Sequence, residues 1–172
     1  MSANDLLNDK TFKPKQKTEL LSQWLLDNTV SPEALIELAG KAKDPVKATC
    51  IEAFEFATKK TPALATEALL HFVSQALTEK APRIKWESAK VIGNIAHLFP
   101  DKLETAVGNL LTNSEHEGTV VRWSAAFALG EIIQLKTSLN KDLIPAAEAI
   151  CEREEKNSIR KMYLAAIKKA QK

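Results

Sequence analysis

The sequence predicts an all-α superhelix of about four helical hairpins behind an N-terminal capping helix, within a single domain of residues 1–172. Its composition is 45% hydrophobic with only 5 Gly and 7 Pro, and alanine and leucine predominate over the β-branched runs typical of strands. An apolar residue followed by a basic one recurs along the chain at a nearly constant spacing. The apolar residues that follow each such pair share one helical face, which indicates repeated amphipathic helices.

The first helix of each hairpin follows a recognisable start signal. Ahead of all hairpins, "KTELLSQWLLDN" (17–28) is amphipathic and lacks a complete partner, as expected of a terminal cap. Ser31 with Pro32, and Thr61 with Pro62, are N-cap and first-turn residues for the next two helices. The segments "PDKLETAVGNLLTN" and "SLNKDLIPAAEAICEREEK" complete the set, with Pro145 as a candidate kink in the last helix.

The second helix of each hairpin carries the repeat. Its anchor pairs, spaced by 38, 37 and 38 residues, are Val46–Lys47, Ile84–Lys85, Val121–Arg122 and Ile159–Arg160. Eight residues after these anchors stand Phe54, Ile92, Leu129 and Ile167. At about 100° per residue these positions fall in one arc, so each helix has a buried stripe. Gly93 and Gly130 follow two anchors in register, and glycine costs a helix about 1 kcal/mol against alanine, so we expect a neighbouring backbone to approach them closely.

These second helices resemble the second helix of HEAT repeats, which reads as an Asp-Pro turn, Val-Arg, small residues and Leu-Gly. The strings "VRWSAAFALGEI" and "IKWESAKVIGNI" match well, and "DPVKATCIEAF" and "IRKMYLAAI" match in part. The resemblance covers roughly residues 31–172, and the period is near the ~40 residues of HEAT units. It implies a curved, armadillo-like α-solenoid. The turn Asp appears only at Asp44, which implies an incomplete version of the family's Asp–Arg hydrogen-bond ladder.

No constellation of residues predicts an enzyme, a cofactor or a metal. His71, His97 and His116 belong to different elements, and none has a Cys or His at the spacing of a helical metal site. The chain contains neither a glycine-rich phosphate loop nor a nucleophile elbow. Cys50 and Cys151 lie in apolar helical patterns and are expected to be buried free thiols.

One group of repeat-built enzymes offers a sharper comparison. Some DNA glycosylases that act on alkylated bases consist of HEAT-like repeats, with concave tryptophans and an Asp one helical turn away. Trp86 and Trp123 resemble those tryptophans, but one turn downstream stand Lys90 and Phe127 rather than an acid. The resemblance therefore gives no basis for glycosylase activity.

A candidate binding face lies opposite the buried stripe. Positions two and six residues after the anchors point away from that stripe, and parallel helices about 8–10 Å apart would place Trp86 and Trp123 side by side. Exposed aromatic residues among basic ones are typical of protein interfaces. The predicted partner-binding residues are Lys85, Trp86, Lys90, Arg122, Trp123 and Phe127. The alternative is that each tryptophan packs against the adjacent hairpin.

Protein binding is the leading functional hypothesis, and nucleic-acid binding is the alternative. The net charge is only +2, yet the tail from Lys156 to Lys172 has no acidic residue. Such a tail complements its own helix dipole, or it binds phosphates together with the same face. The N-terminus lacks the apolar core of a signal peptide and no apolar run is long enough to span a membrane, so we expect a cytoplasmic protein without a membrane partner.

Overall fold

The computed structural model describes all residues 1–172, and its regular structure is entirely helical. The α-helices are α1 Ala3–Asn8, α2 Pro14–Leu26, α3 Pro32–Lys41, α4 Asp44–Lys60, α5 Glu67–Ala76, α6 Pro82–Ile95, α7 Glu104–Asn113, α8 Thr119–Ile133, α9 Asn140–Arg153 and α10 Asn157–Ala170. Short 3₁₀ turns occupy Pro62–Leu64 and Ala96–Leu98. None of these helices combines the length and the apolar character that crossing a membrane requires. The predicted all-α fold is confirmed.

The helices form two rows. Each second helix packs on the second helix of the neighbouring hairpin, which produces an inner row of α2, α4, α6, α8 and α10. The outer row consists of α3, α5 and α7, with α9 in the outer position of the last hairpin. Packing within the inner row is more extensive than packing within the outer row, so the inner helices hold the stack together.

One apolar core runs through the whole stack. A continuous cluster of 42 buried residues extends from Ala3 to Ile167. The anchors Ile84, Val121 and Ile159 are buried and Val46 is half-buried, and the residues eight positions further on are all buried. The predicted stripe is therefore the surface by which each inner helix packs, and burial of its apolar area stabilises the stack.

The N-terminal cap contains one helix more than predicted. Before α2, residues 3–8 form the short α1, which begins with a capping box. The Asp5 N–H donates to Ser2 Oγ at 3.1 Å, and the Ser2 N–H donates to Asp5 Oδ2 at 2.9 Å. This reciprocal pair satisfies two free donors of the first turn, which makes so short a helix possible.

The starts of the outer helices follow the predicted caps in one case and depart from them in another. The Ala34 N–H donates to Ser31 Oγ at 3.1 Å, which confirms the predicted cap of α3. The predicted start at Thr61 and Pro62 is wrong, because Ala65 is extended with ψ of 141° and interrupts the helix. Helix α5 begins instead after Thr66, which caps it in the same way as Ser31 caps α3.

The basic residues of the anchor pairs form a ladder along the turns. This basic ladder consists of Lys47, Lys85, Arg122 and Arg160, together with Lys17, which is likewise the fourth residue of its helix. Four of its members donate to backbone carbonyls: three of these lie in the last turn of the preceding helix or one residue beyond it, and Arg122 binds the turn before α8. Those donor and acceptor pairs are Lys17 Nζ to Leu7 O at 2.9 Å, Lys85 Nζ to Leu77 O at 3.0 Å, Arg122 Nη1 to Glu117 O at 2.9 Å and Arg160 Nη1 to Glu154 O at 2.8 Å. Such carbonyls lack helical partners and carry the negative end of the helix dipole, so cations stabilise them.

The ladder also links each hairpin to the next one. Lys47 forms an ion pair with Glu79, Lys85 Nζ donates to Asn113 Oδ1 at 3.2 Å, and Arg122 Nε donates to Glu154 Oε1 at 2.9 Å. The acceptors are Glu and Asn rather than the turn Asp of HEAT repeats. The sequence therefore predicts an incomplete Asp ladder correctly but misses the acceptors that replace it.

Replacing Arg122 should destabilise the fold strongly. In Arg122→Met, the buried Glu154 carboxylate loses its counterion, and we expect the free energy of unfolding to fall by about 3 kcal/mol in chemical denaturation. The matched control is Lys41→Met, which breaks the Lys41–Glu37 ion pair whose side chains are 75% and 70% exposed. That change should cost less than about 1 kcal/mol. Equal losses in the two variants would contradict a structural role for the ladder.

Candidate binding face on the inner helices

The inner face is the side of α4, α6, α8 and α10 that is turned away from the outer row. Positions two and six after the anchors lie on it, as the helical period requires. On α6 they are Trp86 and Lys90, both half-buried, and on α8 they are Trp123 and Phe127. Trp123 is 40% exposed, whereas Phe127 is half-buried. The structure thus brings these four predicted residues onto one surface.

Trp123 and Phe127 form a stacked pair that is held in place by a glycine. Their ring centroids are 6.0 Å apart and their planes differ by 9°. The Phe127 ring fills the space beside Gly93 of α6, where an added Cβ would lie 2.3 Å from the ring carbon Cε2. The close approach expected at Gly93 is therefore real, but the neighbour is an aromatic ring and not a backbone. At Gly130 the nearest backbone atom is Met162 O, 3.8 Å from an added Cβ.

The two tryptophans are staggered rather than side by side. Phe127 stands opposite Gly93, and the helical rise of about 1.5 Å per residue places Trp123 about 6 Å before Phe127. Trp86 lies two turns before Gly93, so it extends beyond Trp123 along the helix axes. Helices α6 and α8 are thus shifted along their axes relative to the repeat register, and Trp86, Trp123 and Phe127 form a diagonal aromatic patch.

A crevice between α4 and α6 holds carboxylates beside this patch. Glu87 is only 2% exposed; Trp86 Nε1–H donates to its Oε1 at 2.9 Å, while its Oε2 has no hydrogen-bond partner. Lys90 Nζ lies 3.5 Å from Glu87 Oε1 and 3.9 Å from Glu55 Oε1. Burial raises the pKa of both Glu87 and Glu55, and Lys90 opposes that rise. Lys90 is therefore the counterion of two buried carboxylates.

Two acidic residues of α4 belong to this surface and are missing from the sequence prediction. Glu52 and Glu55 stand six and nine residues after the Val46 anchor, in register with Lys90 and Gly93 of α6. Glu52 Oε1 lies 3.6 Å from Arg83 Nη2. Because Glu52 and Glu55 have the same spacing from their anchor as Lys90 and Gly93, the repeat could have predicted that they lie on this surface.

Lys85 and Arg122, predicted as partner contacts, both belong to the basic ladder. A residue directly after an anchor is rotated by about 100° from the buried stripe. Because Lys85 and Arg122 are also the fourth residues of their helices, they lie close to the turns that join the hairpins. Both side chains donate to carbonyls and to acceptors of the next hairpin there. Burial also lowers the pKa of Lys85. The structure therefore separates these two residues from the aromatic patch and gives them an intramolecular role.

Filling the notch at Gly93 should cost stability. In Gly93→Ala, the new methyl group displaces the Phe127 ring, and we expect the free energy of unfolding to fall by about 1–3 kcal/mol. Gly108→Ala is the matched control, because nothing lies within 4 Å of its added Cβ in α7. There alanine should stabilise the helix by up to about 1 kcal/mol. A gain in both variants, measured by urea denaturation, would show that Phe127 does not occupy the notch.

Neutralising Glu87 should stabilise the protein at neutral pH. Because its folded-state pKa is raised, the ionised carboxylate destabilises the fold above that pKa, and the penalty vanishes once both states are protonated. We expect Glu87→Gln to melt at a higher temperature than wild type at pH 7. The difference should shrink as the pH approaches about 4, near the ordinary Glu pKa.

The control for this experiment is Glu148→Gln, which changes an exposed carboxylate in the middle of α9. The melting temperature of Glu148→Gln should equal that of wild type at each pH in the same range. A lower melting temperature for Glu87→Gln at pH 7 would mean that the hydrogen bond from Trp86 and the Lys90 pair outweigh desolvation.

Solved structures with the same fold are repeat proteins. A designed armadillo repeat protein in complex with the peptide (KR)4 superimposes with a TM-score of 0.78 at 17% identity, covering 98% of this chain and 80% of that one. The complex of CpcE and CpcF of phycocyanin lyase from Nostoc sp. PCC7120 matches with a TM-score of 0.70 at 18% identity, covering 95% and 96%. An engineered protein matches with a TM-score of 0.73 at 18% identity, covering 98% and 79%.

These similarities establish the fold and nothing finer. No protein-family model and no curated protein matches the sequence. The chain is therefore similar to α-solenoids of the armadillo and HEAT type, in agreement with the repeat period.

Proposed function

We propose that this chain is a single non-catalytic domain of HEAT-type repeats that binds a segment of another protein on its inner face. The contacts are assigned to Trp86, Lys90, Trp123 and Phe127. The observation that carries the proposal is Trp123, a large aromatic side chain that is 40% exposed on the inner face. Lys85 and Arg122 stabilise the framework beneath this surface.

The aromatic pair is suited to be the centre of an interface. Tryptophan is enriched among the residues that dominate binding energy, and a rigid side chain loses little conformational entropy on binding. The stack with Phe127 and the notch at Gly93 hold Trp123 in one orientation. Val120, 52% exposed and one turn before Trp123, extends the apolar surface along α8.

The known architecture supports a peptide-like partner. The designed armadillo protein of the same fold is a complex with a peptide. That peptide is uniformly basic, whereas the inner face of this chain ends in the lysines of α10. We therefore propose a protein segment as the partner of this chain, but not the basic sequence of that peptide.

Nucleic-acid binding remains the alternative, because α10 is basic throughout. The carboxylates of Glu52, Glu55 and Glu87 lie along the α4 and α6 part of the same surface. Arg83 and Lys90 pair with these carboxylates, so this part of the face offers no free cation to a polyanion, which favours a protein segment. Phosphate contacts would also make the affinity fall steeply with salt, which an aromatic-centred interface does not.

Replacing Trp123 should weaken peptide binding without unfolding the protein. A random peptide library is selected on the wild-type chain, and the affinities of the enriched peptides are measured by calorimetry. We expect Trp123→Ala to weaken them about tenfold or more, which corresponds to about 1.4 kcal/mol. The melting temperature should change little, because the indole is partly exposed.

The matched control is Leu98→Ala, which removes a side chain that is 39% exposed in the 3₁₀ turn after α6, outside the register positions of the patch. Its peptide affinity should equal that of wild type. Enriched peptides that bind Trp123→Ala and wild type equally would refute the assignment of the inner face.

A further inference from the structure

The last inner helix presents cations on the inner face that have no partner within the chain. Lys161 and Lys168 stand two and nine residues after the Ile159 anchor, in register with Trp123 and Gly130 of α8. Both are exposed, and neither belongs to an ion pair of the structure, whereas Lys90 on α6 is paired with Glu55 and Glu87. Their charges are therefore available to a partner.

Helix stability explains only one of these two lysines. Cations in the last turn of a helix interact favourably with its dipole, and Lys168 lies in the last turn of α10. Lys161 lies in the first half of α10, where the dipole does not favour a cation. The same register position holds Trp86 and Trp123 on the preceding helices, so Lys161 continues the row of side chains that forms the candidate site.

The surface around Lys161 is open. The register position that holds Lys90 on α6 and Phe127 on α8 is Ala165 on α10, an exposed alanine between Lys161 and Lys168. No acidic residue occurs from Lys156 to Lys172, and Glu131, the one acidic residue of α8, forms no ion pair with Lys161 or Lys168. Nothing on either helix covers or neutralises Lys161.

The inner face is therefore polarised along the stack. Carboxylates paired with cations lie on it at α4 and α6. The Trp123–Phe127 pair and Val120 lie on it at α8, and the unpaired Lys161 and Lys168 lie on it at α10. We infer that the partner is an apolar–acidic segment, with an apolar residue on Trp123 and Phe127 and carboxylates on Lys161 and Lys168. This inference rests on the proposed function and adds the chemistry of the partner.

Geometry gives the spacing of the two features in that segment. Adjacent inner helices are about 8–10 Å apart, and an extended chain advances about 3.3 Å per residue. A carboxylate near Lys161 should thus lie about three residues from the apolar residue on the aromatic pair. Lys168 lies about 10 Å further along α10, which is about three residues of extended chain, so acidic residues up to that far beyond the first reach toward it.

The test uses three fluorescein-labelled synthetic peptides that share an apolar part, Gly-Ser-Leu-Trp-Leu-Ser, and differ in their ends. These ends are Glu-Asp-Glu, Gln-Asn-Gln and Lys-Arg-Lys. We expect the acidic peptide to bind the full chain about tenfold more tightly than the neutral one in fluorescence anisotropy, with the basic peptide weakest. The order reflects attraction to or repulsion from the lysines of α10.

Charge reversal on the protein should remove that preference. In Lys161→Glu/Lys168→Glu, the acidic peptide should lose its tenfold advantage over the neutral one. The matched control is Lys10→Glu/Lys15→Glu, which makes the same charge change at exposed positions of the N-terminal cap. Its peptide affinities should remain those of wild type. If the control loses the preference as well, net charge and not the α10 lysines causes it.

Three other outcomes would overturn the inference. If all three peptides bind equally and Trp123→Ala weakens all of them, the proposed function stands and the acidic preference is wrong. If none binds at concentrations up to about 1 mM, the acidic preference is also wrong, and the library selection alone decides the proposed function. If a short oligothymidylate displaces the acidic peptide and binds more tightly, the lysines serve nucleic acid instead.

Discussion

The stack of this protein depends on one electrostatic arrangement: a cation at the start of each inner helix binds a carbonyl of the turn before it or an acceptor of the next hairpin. Those carbonyls would otherwise be unsatisfied where two helices meet at a tight turn. Lys85 and Arg122 also reach Asn113 and Glu154 of the next hairpin, so the same side chain sets both the turn and the stacking. The basic residue of each anchor pair thus belongs to the framework, and our proposal assigns binding to other positions.

Close packing of the inner helices creates the candidate site. Small residues let these helices approach, and at Gly93 the absence of a side chain admits the Phe127 ring. That ring supports Trp123, whose indole stays partly exposed on the inner face. A packing feature of the solenoid therefore orients the residue to which we assign binding, and the axial shift between neighbouring helices spreads the aromatic residues diagonally.

Position in the stack decides what each charged residue of the inner face does. Within the stack, carboxylates and cations from neighbouring helices meet, as Lys90 meets Glu55 and Glu87 in the crevice between α4 and α6. On α10, by contrast, Lys161 and Lys168 belong to no ion pair. The face is therefore internally neutralised near α4 and α6 and open to a partner's charge at α10.

The sequence by itself determined the all-α fold, the repeat, the buried stripe and the glycine notch, because helical periodicity depends only on residue order. It also identified Trp86, Lys90, Trp123 and Phe127 as lying away from the core. Only the tertiary structure decided which neighbours these residues meet, since the axial shift between helices is a property of their packing. That shift staggers the tryptophans and brings Glu55 to Lys90, while the turns and the next hairpin supply the acceptors of Lys85 and Arg122; a single helix's pattern contains none of these neighbours.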